Sequence, residues 1–170
     1  MPTGLSPSSF SAFKDCPLAF KFSYLDRLPQ PPSAPASKGT LVHRALELLM
    51  LRAPADRTVP NALADLDVAR NELAEHPEFA GLDLTLDEWE QFHSDAEVLV
   101  RKYFELEDPT AIVPIGLELR LAATIGKVQL RGIIDRLELD ADGELVVTDY
   151  KTGAVPGERY ELKRLAGVHM

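Results

Sequence analysis

At 170 residues with 45% hydrophobic content, the chain can bury one hydrophobic core, and its length gives no reason to divide it in two. Its 27 acidic and 18 basic residues leave a net charge of -9, which excludes a nucleic-acid binder that works by phosphate neutralisation over its whole surface. The lone cysteine, Cys16, excludes an internal disulfide and a self-contained Cys-x-x-Cys zinc site.

No stretch approaches the roughly 20 apolar residues of a membrane helix. Met1-Pro2-Thr3-Gly4 lacks the basic and apolar segments of a signal peptide. The expectation is a cytoplasmic protein with no membrane partner, folded as one domain over residues 1–170.

The first element is read from Leu5-Ser6-Pro7, where Ser6 is placed to cap a helix and Pro7 to occupy its first turn. Pro17 opens a second short helix on which Phe20 and Tyr24 share a face. The run from Pro29 to Ser37 holds four prolines and is expected to be a loop. From Lys38 to Leu51, Leu41, Val42, Ala45, Leu46, Leu49 and Met50 recur with the period of a buried helix. Two further helices are predicted over about Asn61–Glu75 and Thr85–Glu105, the second with Trp89, Phe92, Ala96, Leu99 and Tyr103 along one side.

After Pro114 the period changes from 3.6 to 2. Leu117, Leu119 and Leu121 alternate with Glu118 and Arg120, which predicts a half-buried strand. A turn at Gly126-Lys127 leads to a second strand, Val128 to Leu139, and a turn at Asp142-Gly143 to a third, Leu145 to Lys151. In the second strand the apolar parity switches at Gly132, so a β-bulge is expected there, re-aiming Asp135. The tail from Tyr160 to Met170 reads as an amphipathic helix that stops without a cap, as a C-terminally shortened chain would.

Three residues carry the chemistry of the strands. Asp149 and Lys151, two apart, are expected on one face with Cα atoms about 7 Å apart. Asp149 follows the apolar run Leu145-Val146-Val147, where its carboxylate requires a compensating cation. An ordinary strand-end ion pair between the two is the plain alternative. Asp135 adds a second carboxylate inside an apolar strand, and two carboxylates at close range repel unless a divalent cation joins them. The competing reading pairs Asp135 with Arg131 or Arg136. His43 lies on the helix after Gly39, with Glu47 one turn further on.

The ordered set Cys16-Pro17-x-x-Phe20, Gly39-x-x-x-His43, Gly132-Ile133-Ile134-Asp135-Arg136 and Asp149-Tyr150-Lys151-Thr152-Gly153 resembles the RecB-family nucleases of the PD-(D/E)XK superfamily. That family is found in helicase-nuclease repair machines and CRISPR-associated adaptation nucleases. The resemblance runs from Leu5 to the final helix and implies an α+β, restriction-endonuclease-like core: an antiparallel strand meander flanked by helices, with a helical N-terminal half.

It further implies that His43, Asp135, Asp149 and the backbone carbonyl of Tyr150 hold Mg²⁺ or Mn²⁺, with Asp135, Asp149 and Lys151 as the catalytic set and Lys151 acting on the attacking water. Oxygen donors suit either ion, and an imidazole tilts preference toward Mn²⁺. The implied activity is deoxyribonuclease, exonuclease before endonuclease, on DNA in repair or recombination, with a helicase subunit or domain as partner. Some members carry a 4Fe-4S cluster; Cys16 sits at the first ligand position, and the other three cysteines would have to lie beyond Met170. The alternatives are a non-catalytic DNA-binding module and an acidic protein-interaction domain.

Overall fold

The computed structural model describes residues 4–140 and 142–153. Six helices precede a three-stranded sheet. The expected helix over 160–170 lies outside the described residues.

Helix α1 (Pro7–Asp15) begins as the sequence predicts. Ser6 and Ser9 form a reciprocal capping box and Pro7 occupies the first turn. Helix α2 (Pro17–Phe20) follows directly and continues into a wider turn, Lys21–Leu25. The Phe20 and Tyr24 rings stack with centroids 5.2 Å apart.

Helix α3 runs Ala34–Leu51, so it begins at Ala34 rather than Lys38 and takes in the end of the expected proline loop. Pro35 is accommodated because the first helical turn has no use for its missing N–H. The buried Ser37 hydroxyl donates to the Glu78 carbonyl at 2.9 Å and fixes this start against the rest of the helical layer. Helix α4 (Val59–Leu73) is capped by Thr58, and α6 (Leu86–Leu106) by a Thr85–Glu88 capping box. Between them, α5 (Pro77–Ala80) is a short helix that the sequence reading passed over.

The core lies among α3, α4 and α6. Leu41, Ala45 and Leu49 pack with Ala62, Leu66, Ala69, Phe92, Ala96, Val100 and Tyr103. Each large side chain buried here contributes about 1.5–3 kcal/mol. No helix among the described residues is long and apolar enough to cross a membrane.

The sheet is the expected antiparallel meander, β1 (Pro114–Ile125), β2 (Val128–Leu139) and β3 (Leu145–Thr148) in the order β1-β2-β3. Gly126 at φ 61° closes the first hairpin over the predicted two-residue turn. The predicted bulge at Gly132 is not there: Leu121 pairs with Gly132 and Arg120 with Ile133 in unbroken register. The irregularities lie on β1 instead, as a register shift between Pro114 and Gly116 and a positive φ of 45° at Glu118.

β3 ends at Thr148 rather than Lys151. Beyond it, the Tyr150 amide leaves the ladder and donates to the Asp135 carboxylate. β3 flanks only the far end of β2, and at Gln129–Arg131 the same edge is taken by Leu5, which bonds to both residues through its own N–H and carbonyl. This bridge hangs α1 and α2 beside the β1–β2 turn.

Candidate metal centre

Helix α3 brings His43 against the sheet, and Gly39, one turn earlier, lets it approach closely. A Cβ on Gly39 would lie 3.0 Å from Thr152 Oγ1. The Gly39-x-x-x-His43 motif and the Asp149–Gly153 motif are therefore in direct contact, one helix turn from the imidazole.

His43 Nε2 lies 3.0 Å from the Tyr150 carbonyl. A carbonyl only accepts, so Nε2 carries the proton and donates. Nδ1 lies 3.6 Å from Asp135 Oδ1. Positive charge is favoured at this contact, whether a proton on the ring or a cation between the two groups supplies it. Asp135 Oδ2 is held separately by the Tyr150 N–H at 2.6 Å, and only 11% of the Asp135 side chain is exposed.

Glu118 completes the group. One ligand atom from each of His43, Glu118 and Asp135 lies within 4.8 Å of the other two. Burial raises the Glu118 carboxyl pKa, and the Asp135 and Glu47 carboxylates raise it further, against smaller opposing effects from His43 and Arg120. The carboxyl is thus held above its ordinary range by desolvation and by its acidic neighbours.

The donor set fits a divalent cation. Two carboxylates and an imidazole nitrogen lie about as far apart as ligands do around an ion with bonds of roughly 2.0–2.5 Å. The close approach of His43 to Asp135 and the raised Glu118 pKa mark a place where positive charge is favoured, which such an ion would supply.

Among the residues expected to form the site, the structure brings together His43, Asp135 and the Tyr150 carbonyl. Asp149 and Lys151 stand outside the 4.8 Å group and pair with each other, their side chains 56% and 74% exposed. The alternative partners for Asp135 are otherwise engaged or distant: among the described residues neither Arg131 nor Arg136 forms an ion pair with it. Arg136 is 1% exposed and donates to Glu107 at 2.6 and 2.8 Å, to the Tyr150 hydroxyl at 2.8 Å and to Thr148 at 3.1 Å. Its Nε is 3.2 Å from Glu138, a close charge contact whose angle falls short of a hydrogen bond. Cys16 is exposed at the junction of α1 and α2.

Sequence reasoning missed Glu118 and the role of Arg136. The alternation of leucines had placed Glu118 on the solvent side of an ordinary strand. A signal was nonetheless available, because a two-residue turn at Gly126-Lys127 pairs Leu117 with Arg136 and Leu119 with Ile134, setting Glu118 opposite Asp135.

An imidazole from a helix and two carboxylates from adjacent strands of a meander, next to an Asp-x-Lys segment, form a group that could hold a metal ion on a restriction-endonuclease-like α+β fold. A family model for the PD-(D/E)XK nuclease superfamily matches residues 4–167. The chain belongs to that superfamily, whose members are generally nucleases and typically use divalent metals. No curated protein matches the chain.

Proposed function

We propose that the chain is a RecB-type nuclease that hydrolyses DNA phosphodiester bonds with Mg²⁺ or Mn²⁺, exonucleolytically, in repair or recombination beside a helicase partner. The observation that carries this reading is the convergence of His43, Glu118 and Asp135 beside the Tyr150 carbonyl. A module that only bound a partner would have no physical use for two carboxylates at that range.

His43, Glu118 and Asp135 would hold the ion, the Tyr150 carbonyl would fix the imidazole by accepting the Nε2 proton, and Asp149 would be an additional carboxylate one residue from Tyr150. A bound ion supplies Lewis-acid polarisation of the phosphate and a lowered pKa for water. Lys151 orients the attacking water, and its charge favours the hydroxide form. Water oxygen bonds to phosphorus, the ester P–O bond breaks, and the departing oxygen takes up a proton. The exposed Asp149–Lys151 pair opens to solvent, where an incoming phosphate can compete for the ammonium.

The test is Mn²⁺ titration calorimetry together with cleavage of end-labelled single- and double-stranded DNA. Asp135→Asn should lose both metal binding and cleavage, whereas Lys151→Ala should lose cleavage and keep metal binding. A protein that neither binds Mn²⁺ nor cuts DNA would be a binding module on a nuclease fold.

A further inference from the structure

A groove of about 1280 Å³ lies at the opposite end of the β1–β2 hairpin from the metal centre, between that hairpin's turn and α1–α2. Phe10, Phe13, Phe20 and Tyr24 form its aromatic side, with Arg27 and Lys127 on its rim. Phe13 meets Phe20 edge-on at 5.4 Å and Phe20 stacks on Tyr24 at 5.2 Å, and Phe10 is a further ring in the same lining. Phe10 and Phe13 are 59% and 52% exposed. In a chain with 27 acidic and 18 basic residues, the described residues that line this groove include two cations and no carboxylate.

We propose that this groove binds single-stranded DNA, stacking bases on Phe10 and Phe13 and holding phosphates with Arg27 and Lys127. Open aromatic faces accept unpaired bases, whereas a duplex hides its base faces and would demand more positive charge than two residues supply. A second copy of this chain is disfavoured by charge, since a two-fold contact here would oppose Arg27 and Lys127 to themselves. From Glu118 to Thr124 along β1 the strand rise of ~3.3 Å per residue places the groove roughly 20 Å from the metal centre. That span matches about six stacked nucleotides at ~3.4 Å each. The strand would therefore be gripped several nucleotides from the bond that is cut, and this coupling to cleavage rests on the nuclease reading; the binding does not.

The experiment is fluorescence anisotropy of labelled oligothymidine of about 20 nucleotides, in EDTA so that no cleavage occurs, with duplex of the same length for comparison. Single strands should bind more tightly than duplex. Phe10→Ala combined with Phe13→Ala should weaken binding about tenfold or more at an unchanged unfolding temperature. Lys127→Gln, at an exposed turn, should lower the slope of log K against log salt by about 0.7. Groove variants that bind like wild type, tighter binding of duplex, or a phenylalanine double variant that alters only self-association in sedimentation would each overturn the proposal. Wild-type binding of this pattern without any Mn²⁺-dependent cleavage would uphold the groove and remove the hydrolytic reading alone.

Discussion

The backbone amide of Tyr150 donates to the Asp135 carboxylate at 2.6 Å, across the end of the sheet. The same residue's carbonyl receives His43, and its hydroxyl receives Arg136. Tyr150 thus fixes the orientation of Asp135 and His43 together, and the buried Arg136 fixes Tyr150.

Arg136 satisfies groups from α6, β2, β3 and Tyr150 at once, including Glu107 and Glu138. Removing one partner from a buried ion network leaves uncompensated charge. Arg136→Ala should therefore destabilise the protein by about 3–5 kcal/mol in urea unfolding. Arg136→Lys should also be destabilising, because one ammonium cannot replace a planar fork that serves two carboxylates.

Glu118 carries a local electrostatic penalty from Asp135 and Glu47. Glu118→Gln removes it, so the metal-free protein should become more stable, by less than about 1 kcal/mol because solvent screens the site. Calorimetry should register a rise of a few degrees at most in unfolding temperature, about 2–4 °C per kcal/mol. Mn²⁺ affinity, read by titration, should fall in the same variant.

Acid stability should respond to Glu107. Burial pushes its carboxyl up, but hydrogen bonds from Arg136 and Tyr103 outweigh burial and hold its pKa below the ordinary value of 4.5. A carboxyl depressed in the folded state contributes stability that is fully present above its unfolded pKa and is lost as pH falls through the folded value. Urea midpoints measured from neutral pH downward should decline below about pH 4.5. Glu107→Gln should be less stable than wild type at neutral pH and decline less steeply in acid.

Gly39→Ala sets helix propensity against a tight contact. Alanine favours the α3 backbone by about 1 kcal/mol, while its methyl would press on Thr152 Oγ1 at 3.0 Å. The unfolding temperature should hold or rise while Mn²⁺ affinity falls, because the Tyr150–Thr152 segment is pushed from His43. Adding Thr152→Ala should restore the affinity, and a double-mutant cycle would measure the coupling.

The helices and hairpin turns were legible because caps, prolines and apolar periods act locally: Ser6-Pro7, the Thr85–Glu88 box and Gly126-Lys127 each signal a particular backbone event. The α+β order followed from the change of period after Pro114. Pro35 misled, since a proline that breaks a helix interior is at home in a first turn. The switch of apolar parity at Gly132 points to a bulge there, whereas the unusual backbone lies across the hairpin at Glu118, whose side chain joins His43 and Asp135. Motif order points to His43 and Asp135, whereas Glu118 belongs to no motif and is signalled only by the register that the Gly126-Lys127 turn sets. Where β3 ends was also hidden, because it depends on a hydrogen bond between Tyr150 and a side chain of the neighbouring strand.

The Leu5 bridge to Gln129 and Arg131 joins positions about 125 residues apart in the chain. During synthesis, α1 and α2 emerge long before the edge that anchors them exists. Their aromatic rings must wait without that anchor until the hairpin is made, so closure of this end of the molecule is a late, slow event with high contact order.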